Sequence, residues 1–170
     1  MTITRFILPA LLLCLFGLAP ALPAQAQNDA TIDDLSFLDR QYMEQQRTEL
    51  EDLARSHFGR GFNGAKDNDL GLLQRMLDER VVKPDQTREL QAMGLIMGDI
   101  LAAELNLHWV IYEDKLGRSR ALRDGSTANY LFPMTMISRR QEAGNNRSVV
   151  QIYQKAYDIM AEAQPDLPFQ

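Results

Sequence analysis

The segment from Ala92 to Leu105 constrains this fold more than any other part of the chain. Only Asp99 and Glu104 are charged within it. A helix that is apolar nearly all round has to be covered on most sides by other elements. Gly94, Gly98 and Ala102 recur at four-residue steps, so one side of the helix carries almost no side chain. A glycine inside a helix costs roughly 1 kcal/mol relative to alanine, and close approach by another backbone is the expected compensation. Pro84 suits the first turn of this helix, which runs to about Leu105. Its G-x-x-x-G spacing is not a membrane pairing signal, because the apolar run is too short to cross a bilayer.

The flanking patterns say what covers it. A first helix is expected from Ser36, with Asp39 three residues on as a capping box. Its apolar positions are Leu35, Leu38, Tyr42, Leu50, Leu53 and Ala54, and it ends at Gly59 and Gly61. Asp67, Asn68 or Asp69 caps a second helix with Leu70, Leu73, Leu77 and Val81 inward. Beyond Asn106 the period changes to two. His108 to Tyr112 is aromatic and β-branched, and Asp114 to Gly117 is a turn. Arg118 to Arg123 returns, with Glu113 opposite Arg118 and Trp109 opposite Leu122. Tyr130 to Ser138 reads as a third strand, broken or placed at an edge by Pro133. A last helix capped by Asn146 or Ser148 turns Val149, Ile152, Tyr153, Ala156 and Met160 inward. Helices followed by strands indicate an α+β fold. The expectation is three N-terminal helices, a three-stranded antiparallel sheet and a C-terminal helix in one domain, residues 35–163, with a tail at 164–170.

Residues 1–26 carry an address. Arg5 precedes an apolar run from Phe6 to Leu22, and Ala24-Gln25-Ala26 follows. That order is the pattern of a secretory signal peptide cleaved after Ala26. Residues 27–34 form a polar leader, expected to be mobile. The one cysteine, Cys14, lies in the signal and lacks the small preceding residue that lipidation would want. The processed chain then has no disulfide, thiolate metal site or cysteine nucleophile. Periplasm or the outside medium is the expected location, with no membrane span after processing.

The formal net charge is −5. Residues 115–147 run against it, with Lys115, Arg118, Arg120, Arg123, Arg139, Arg140 and Arg147 facing only Asp124 and Glu142. Arginine suits forked contacts with carboxylate and phosphate. This stretch either pairs with the acidic helices of its own fold or forms an anion-facing patch. Nucleic acid is a poor partner for a chain of this charge and address.

Asp99 is the strongest single candidate. A carboxylate in an apolar helix finds a donor or keeps its proton. It is read as a buried structural charge held by a basic group or backbone amides of the strand region. The alternative is an acid–base hydrolase using Asp99 with Glu113. Trp109 and Glu113 share a strand face with Arg118 and Arg120, and with Arg139 and Arg140 these make the candidate binding set. A cross-strand salt bridge beside a packed tryptophan accounts for part of that set equally well. No metal or other cofactor is expected. His57 and His108 lack ligand spacing, and Asp67-Asn68-Asp69-Leu70-Gly71 lacks the calcium-loop pattern. Serine-nucleophile and phosphate-loop motifs are missing, so no catalytic residue is assigned.

Four pieces of the chain, in order, resemble a known family. They are Leu38-Asp39-Arg40-Gln41-Tyr42-Met43; Asp67-Asn68-Asp69-Leu70 with Leu72-Leu73; Leu95-Ile96-Met97-Gly98-Asp99 leading to Leu107-His108-Trp109-Val110-Ile111-Tyr112-Glu113-Asp114; and Phe132-Pro133-Met134-Thr135-Met136-Ile137-Ser138-Arg139-Arg140. The family is one of bacterial exported proteins described only as a domain of unknown function. The resemblance implies a small α+β domain in the envelope and brings no activity, cofactor or catalytic residue. The reading that results is a non-enzymatic binding or protein-interaction domain, its partner an envelope protein or an anionic envelope component.

Overall fold

The computed structural model describes residues 30–164. The expected signal peptide and most of the tail lie outside them. The order is β1 (Thr31–Asp34), α1 (Phe37–Phe58), α2 (Lys66–Asp78), α3 (Thr87–Leu105), β2 (His108–Asp114), β3 (Gly117–Arg123), β4 (Tyr130–Leu131), α4 (Met134–Glu142) and α5 (Val149–Ala163). The strands form one antiparallel sheet in the order β1-β2-β3-β4. This is a single α+β domain, with one more strand and one more helix than the sequence pattern predicts.

α3 is the hub. It contacts α1, α2, α4 and α5, which explains why almost every side of it is apolar. Leu90, Met93, Met97 and Leu101 are fully enclosed in its core. The glycine stripe receives the start of α4 and a ring from the sheet. A Cβ on Gly94 would run into the carbonyl of Pro133 and lie 2.8 Å from Met134 Cα. A Cβ on Gly98 would lie 2.6 Å from the Trp109 ring and 2.9 Å from Pro133 Cβ. The helix starts at Thr87, a turn later than Pro84 suggests. It ends where Asn106 turns left-handed, with φ 53°, and returns its N–H to the Ala102 carbonyl.

Both outer helices start as their sequences predict. Ser36 and Ser148 each make a full capping box, with Asp39 and Gln151 respectively. α2 does not use its acidic residues in this way. Ala65 stands at its N-cap, and Asp69 turns back to accept from the amides of Asn63 and Gly64, both at 2.9 Å. The buried stripe of α1 is also rotated from the expected one. Asp39, Met43, Gln46, Leu50 and Ala54 face inward, and Leu38 is exposed.

Two elements correct the sequence reading. Residues 31–34 are not a leader but β1, with Thr31 opposite Glu113 and Asp34 opposite Val110. The stretch from Tyr130 to Ser138 is not one strand. β4 pairs only Leu122 with Leu131 and Arg123 with Tyr130. Pro133 then supplies a helical φ of −62° and α4 begins. Met134, Ile137 and Ser138 are buried at helical spacing, so the apolar residues that suggested a strand serve a helix face instead.

Candidate functional site

β4 leaves the sheet after Leu131, and the rest of β3 is paired, among the described residues, only with β2. A cleft of about 520 Å³ opens where β4 would have run. One wall is the edge of β3, Gly117 to Arg120, and the other holds Phe132, Met134, Thr135 and Arg139. Tyr42 and Tyr112 also reach it. Tyr112 packs edge-on against Tyr130 and Phe132, with centroids 5.1 and 5.3 Å away. Arg139 is exposed and makes no ion pair with any described residue.

The arginines of β3 are anchored behind this edge. Arg118 forks onto Asp39, with Nη1 donating to Oδ1 at 2.9 Å and Nη2 to Oδ2 at 2.6 Å. Arg120 Nη2 donates to Oδ1 at 2.8 Å. Ser36 adds its N–H at 3.2 Å and its hydroxyl at 2.5 Å, both to Oδ2. Asp39 is 3% exposed. The Arg118 guanidinium, helped by the Ser36 donors, holds its carboxyl well below the usual carboxylate range, although burial pushes the other way. Arg120 also lies over the Tyr42 ring, 4.4 Å from its centroid. Arg118 and Arg120 are therefore not two free charges of an anion patch. They are partly committed to the fold, and the exposed remainder of Arg118 fringes the cleft.

A second set of contacts involves Asp99. Arg47 of α1 forks onto it, Nε to Oδ2 at 2.7 Å and Nη2 to Oδ1 at 2.9 Å, and the Trp109 indole N–H donates to Oδ1 at 3.0 Å. This carboxylate raises the Arg47 pKa above the ordinary arginine value. The Asp99 side chain is 34% exposed, so it is less buried than expected. Its basic partner comes from α1, and only the indole comes from the strand region. Glu113 lies four residues along β2 from Trp109, roughly 13 Å at strand rise, and neither carboxylate lines the β3–α4 cleft or the depression along α1. The structure does not bring Asp99 and Glu113 to one reacting centre. Among the described residues no group of three or more His, Cys, Asp or Glu gathers where a metal ion could sit.

The candidate binding residues thus divide. Arg118, Arg120 and Arg139 meet at the cleft, and Glu113 is exposed opposite Arg118. Trp109 belongs to the Asp99 cluster. Arg140 donates to the Met136 carbonyl at 2.5 Å within its own helix. A larger shallow depression, about 810 Å³, runs along α1 past Leu35, Phe37, Met43 and Trp109. Arg47, on its wall, is already occupied by Asp99. The sequence reading missed Asp39, Tyr42, Arg47 and Phe132. Asp39 was visible only as a helix cap, and Arg47 carries no local mark. Phe132 beside Pro133 could have been found as the point where a strand ends.

The fold and this site define a small α+β domain whose first helix is bolted to a sheet with one strand edge left open. The chain belongs to the family described as Domain of unknown function (DUF3806), whose profile matches residues 69–153. No curated protein matches its sequence. A crystal structure from Bacteroides thetaiotaomicron VPI-5482 shares the fold, with a TM-score of 0.68 at 19% identity over 76% of this chain. The match spans 47% of that chain, about half its length.

Proposed function

We propose that this protein is a non-enzymatic binding domain of the bacterial envelope, and that its partner sits in the cleft between β3 and α4. The cleft itself carries the reading. It combines aromatic walls, an open strand edge and Arg139, a charge that no described carboxylate neutralises. A few polar groups converging on a partly apolar concavity are what a binding site needs. The separation of Asp99 from Glu113 weighs against the hydrolase reading. Export is part of the proposal and rests on Arg5, the apolar run to Leu22 and Ala24-Gln25-Ala26.

Two measurements test this. Intact mass of protein from the periplasmic fraction should give an N-terminus at Gln27, and a lipid on Cys14 or an unprocessed cytoplasmic chain would refute the address. Photo-crosslinking residues placed in living cells at Ser119 or Thr135 should give adducts of discrete mass. The same residue at Ile159, exposed on α5, should not. Adducts from Ile159 alone would refute the cleft.

A further inference from the structure

We infer that the cleft takes an extended acidic segment of another protein, added to the sheet as a strand beside β3. The inference rests on the binding reading above and names its occupant. β4 covers only Leu122 and Arg123, so among the described residues Gly117 to Ala121 have no strand on that side. The direction of their backbone groups follows from one bond. The Asp124 N–H reaches the Asn129 carbonyl, on the β4 side, at 3.4 Å. Along an antiparallel strand, N–H and C=O point to alternate sides residue by residue. Leu122, Arg120 and Arg118 therefore turn their backbone groups the same way as Asp124. Leu122 meets Leu131, whereas Arg120 and Arg118 meet the cleft.

A row of unpaired backbone donors and acceptors is a template for an incoming strand. The lane is the one β4 abandons when Pro133 turns the chain into α4. The β3–β4 register would put position 133 opposite Arg120, and there the chain turns into α4, leaving Phe132, Met134 and Thr135 to line the far wall of the cleft.

Charge selects the guest. The lining holds Arg118, Arg120 and Arg139 against Asp114. Asp39 balances part of the β3 charge from behind, and Arg139 remains. A second copy of this chain offering its own β3 edge would bring arginine against arginine, so self-pairing is disfavoured. A guest carboxylate on the α4 side meets Arg139, and one on the strand side meets the exposed part of Arg118, so an acidic segment finds opposite charge at both walls of the cleft.

The test uses the purified protein and a labelled eight-residue peptide of alternating Glu and Thr. Binding by anisotropy should weaken at least tenfold with Arg139→Glu. N-methylation of alternate peptide amides should weaken it at least tenfold in one register and far less in the other. Hydrogen exchange at the Arg118 and Arg120 amides should slow on binding, while the Ser119 amide, already facing β2, should change little. A peptide that binds with no protection at these amides and no response to N-methylation overturns strand addition, and the cleft then stands as an acidic-ligand site of another kind. Failure of the peptide to bind while crosslinks persist at Thr135 likewise overturns this inference alone. Loss of both peptide binding and crosslinks overturns the cleft as well.

Discussion

Asp39 and Arg118 stand 79 residues apart in sequence and meet in a forked ion pair at the first turn of α1. The same carboxylate closes the capping box with Ser36 and accepts from Arg120. One buried group thus sets where a helix begins and where the sheet lies against it.

Acid should release this junction. The folded Asp39 carboxyl titrates below its unfolded value of about 3.9, chiefly because of Arg118. A depressed carboxyl contributes stability that is present above the unfolded pKa and lost as pH falls through the folded one. Glu104, held down by the Tyr153 hydroxyl and Lys66, acts in the same direction. Denaturant unfolding at pH 7, 5 and 3 should show stability falling mainly below about pH 4. Asp39→Asn should cost roughly 3 kcal/mol at pH 7, the low end for a broken buried pair, and flatten the acid limb. An acid limb as steep as the parent's would assign the loss to other groups.

Two glycines in helices should respond oppositely to alanine. Gly94→Ala gains about 1 kcal/mol of helix propensity, yet its Cβ meets backbone atoms of Pro133 and Met134. A net loss of about 1–3 kcal/mol is expected. Gly71, in α2, has nothing within 4 Å of an added Cβ, and Gly71→Ala should stabilise by up to about 1 kcal/mol. Thermal melts decide the pair, and a stable Gly94→Ala protein would mean that α4 can move away from α3.

Asp99→Asn should have a modest effect. Its carboxylate and Arg47 are both partly exposed, so water replaces much of what is lost, and a cost of about 1–2 kcal/mol is expected. The protein has one tryptophan, and its indole N–H donates to this carboxylate. Fluorescence should therefore shift in Asp99→Asn while the fold persists. An unchanged spectrum would show that the indole contact does not hold in solution.

The two serine caps should not be equal. Ser148→Ala removes one cap and should cost about 1 kcal/mol. The Ser36 hydroxyl also donates to Asp39, so Ser36→Ala should cost more, up to about 2 kcal/mol. Equal losses would mean that the hydroxyl adds nothing to the Asp39 cluster.

The parts legible in the sequence are those set by neighbours in the chain. Alternation and the turn to Gly117 fixed the hairpin register, with Trp109 opposite Leu122 and Glu113 opposite Arg118 as found. Ser36 followed three residues later by Asp39 gave the first capping box, and Ser148 was one of two caps offered for the last helix. What escaped depends on distant partners. Thr31 to Asp34 has only Thr31 and Ile32 to mark a strand, followed by two aspartates that argue against one, and β2 supplies the rest. Tyr130 to Ser138 has strand composition, but Pro133 begins a helix, and the three- and four-residue spacing of Met134, Ile137 and Ser138 was the signal to weigh. The Arg118 and Arg120 partner could not be chosen from the sequence, because several acidic residues of the first helix were equally available.

β1 and α1 lie far in sequence from the elements that receive them, β2 for the strand and α3 for the helix, with Arg118 and Arg120 fastening its first turn. A chain emerging amino end first exposes Asp39, Met43 and Leu50 well before Arg118 and Arg120 exist to fasten that helix. Contacts this far apart in sequence form late and slow folding. The β2–β3 hairpin, whose pairing is local, receives β1 and clamps the first turn of α1, while α3 receives the apolar face of that helix. The longest helix thus has both of its partners, α3 and the hairpin, downstream of it in the chain.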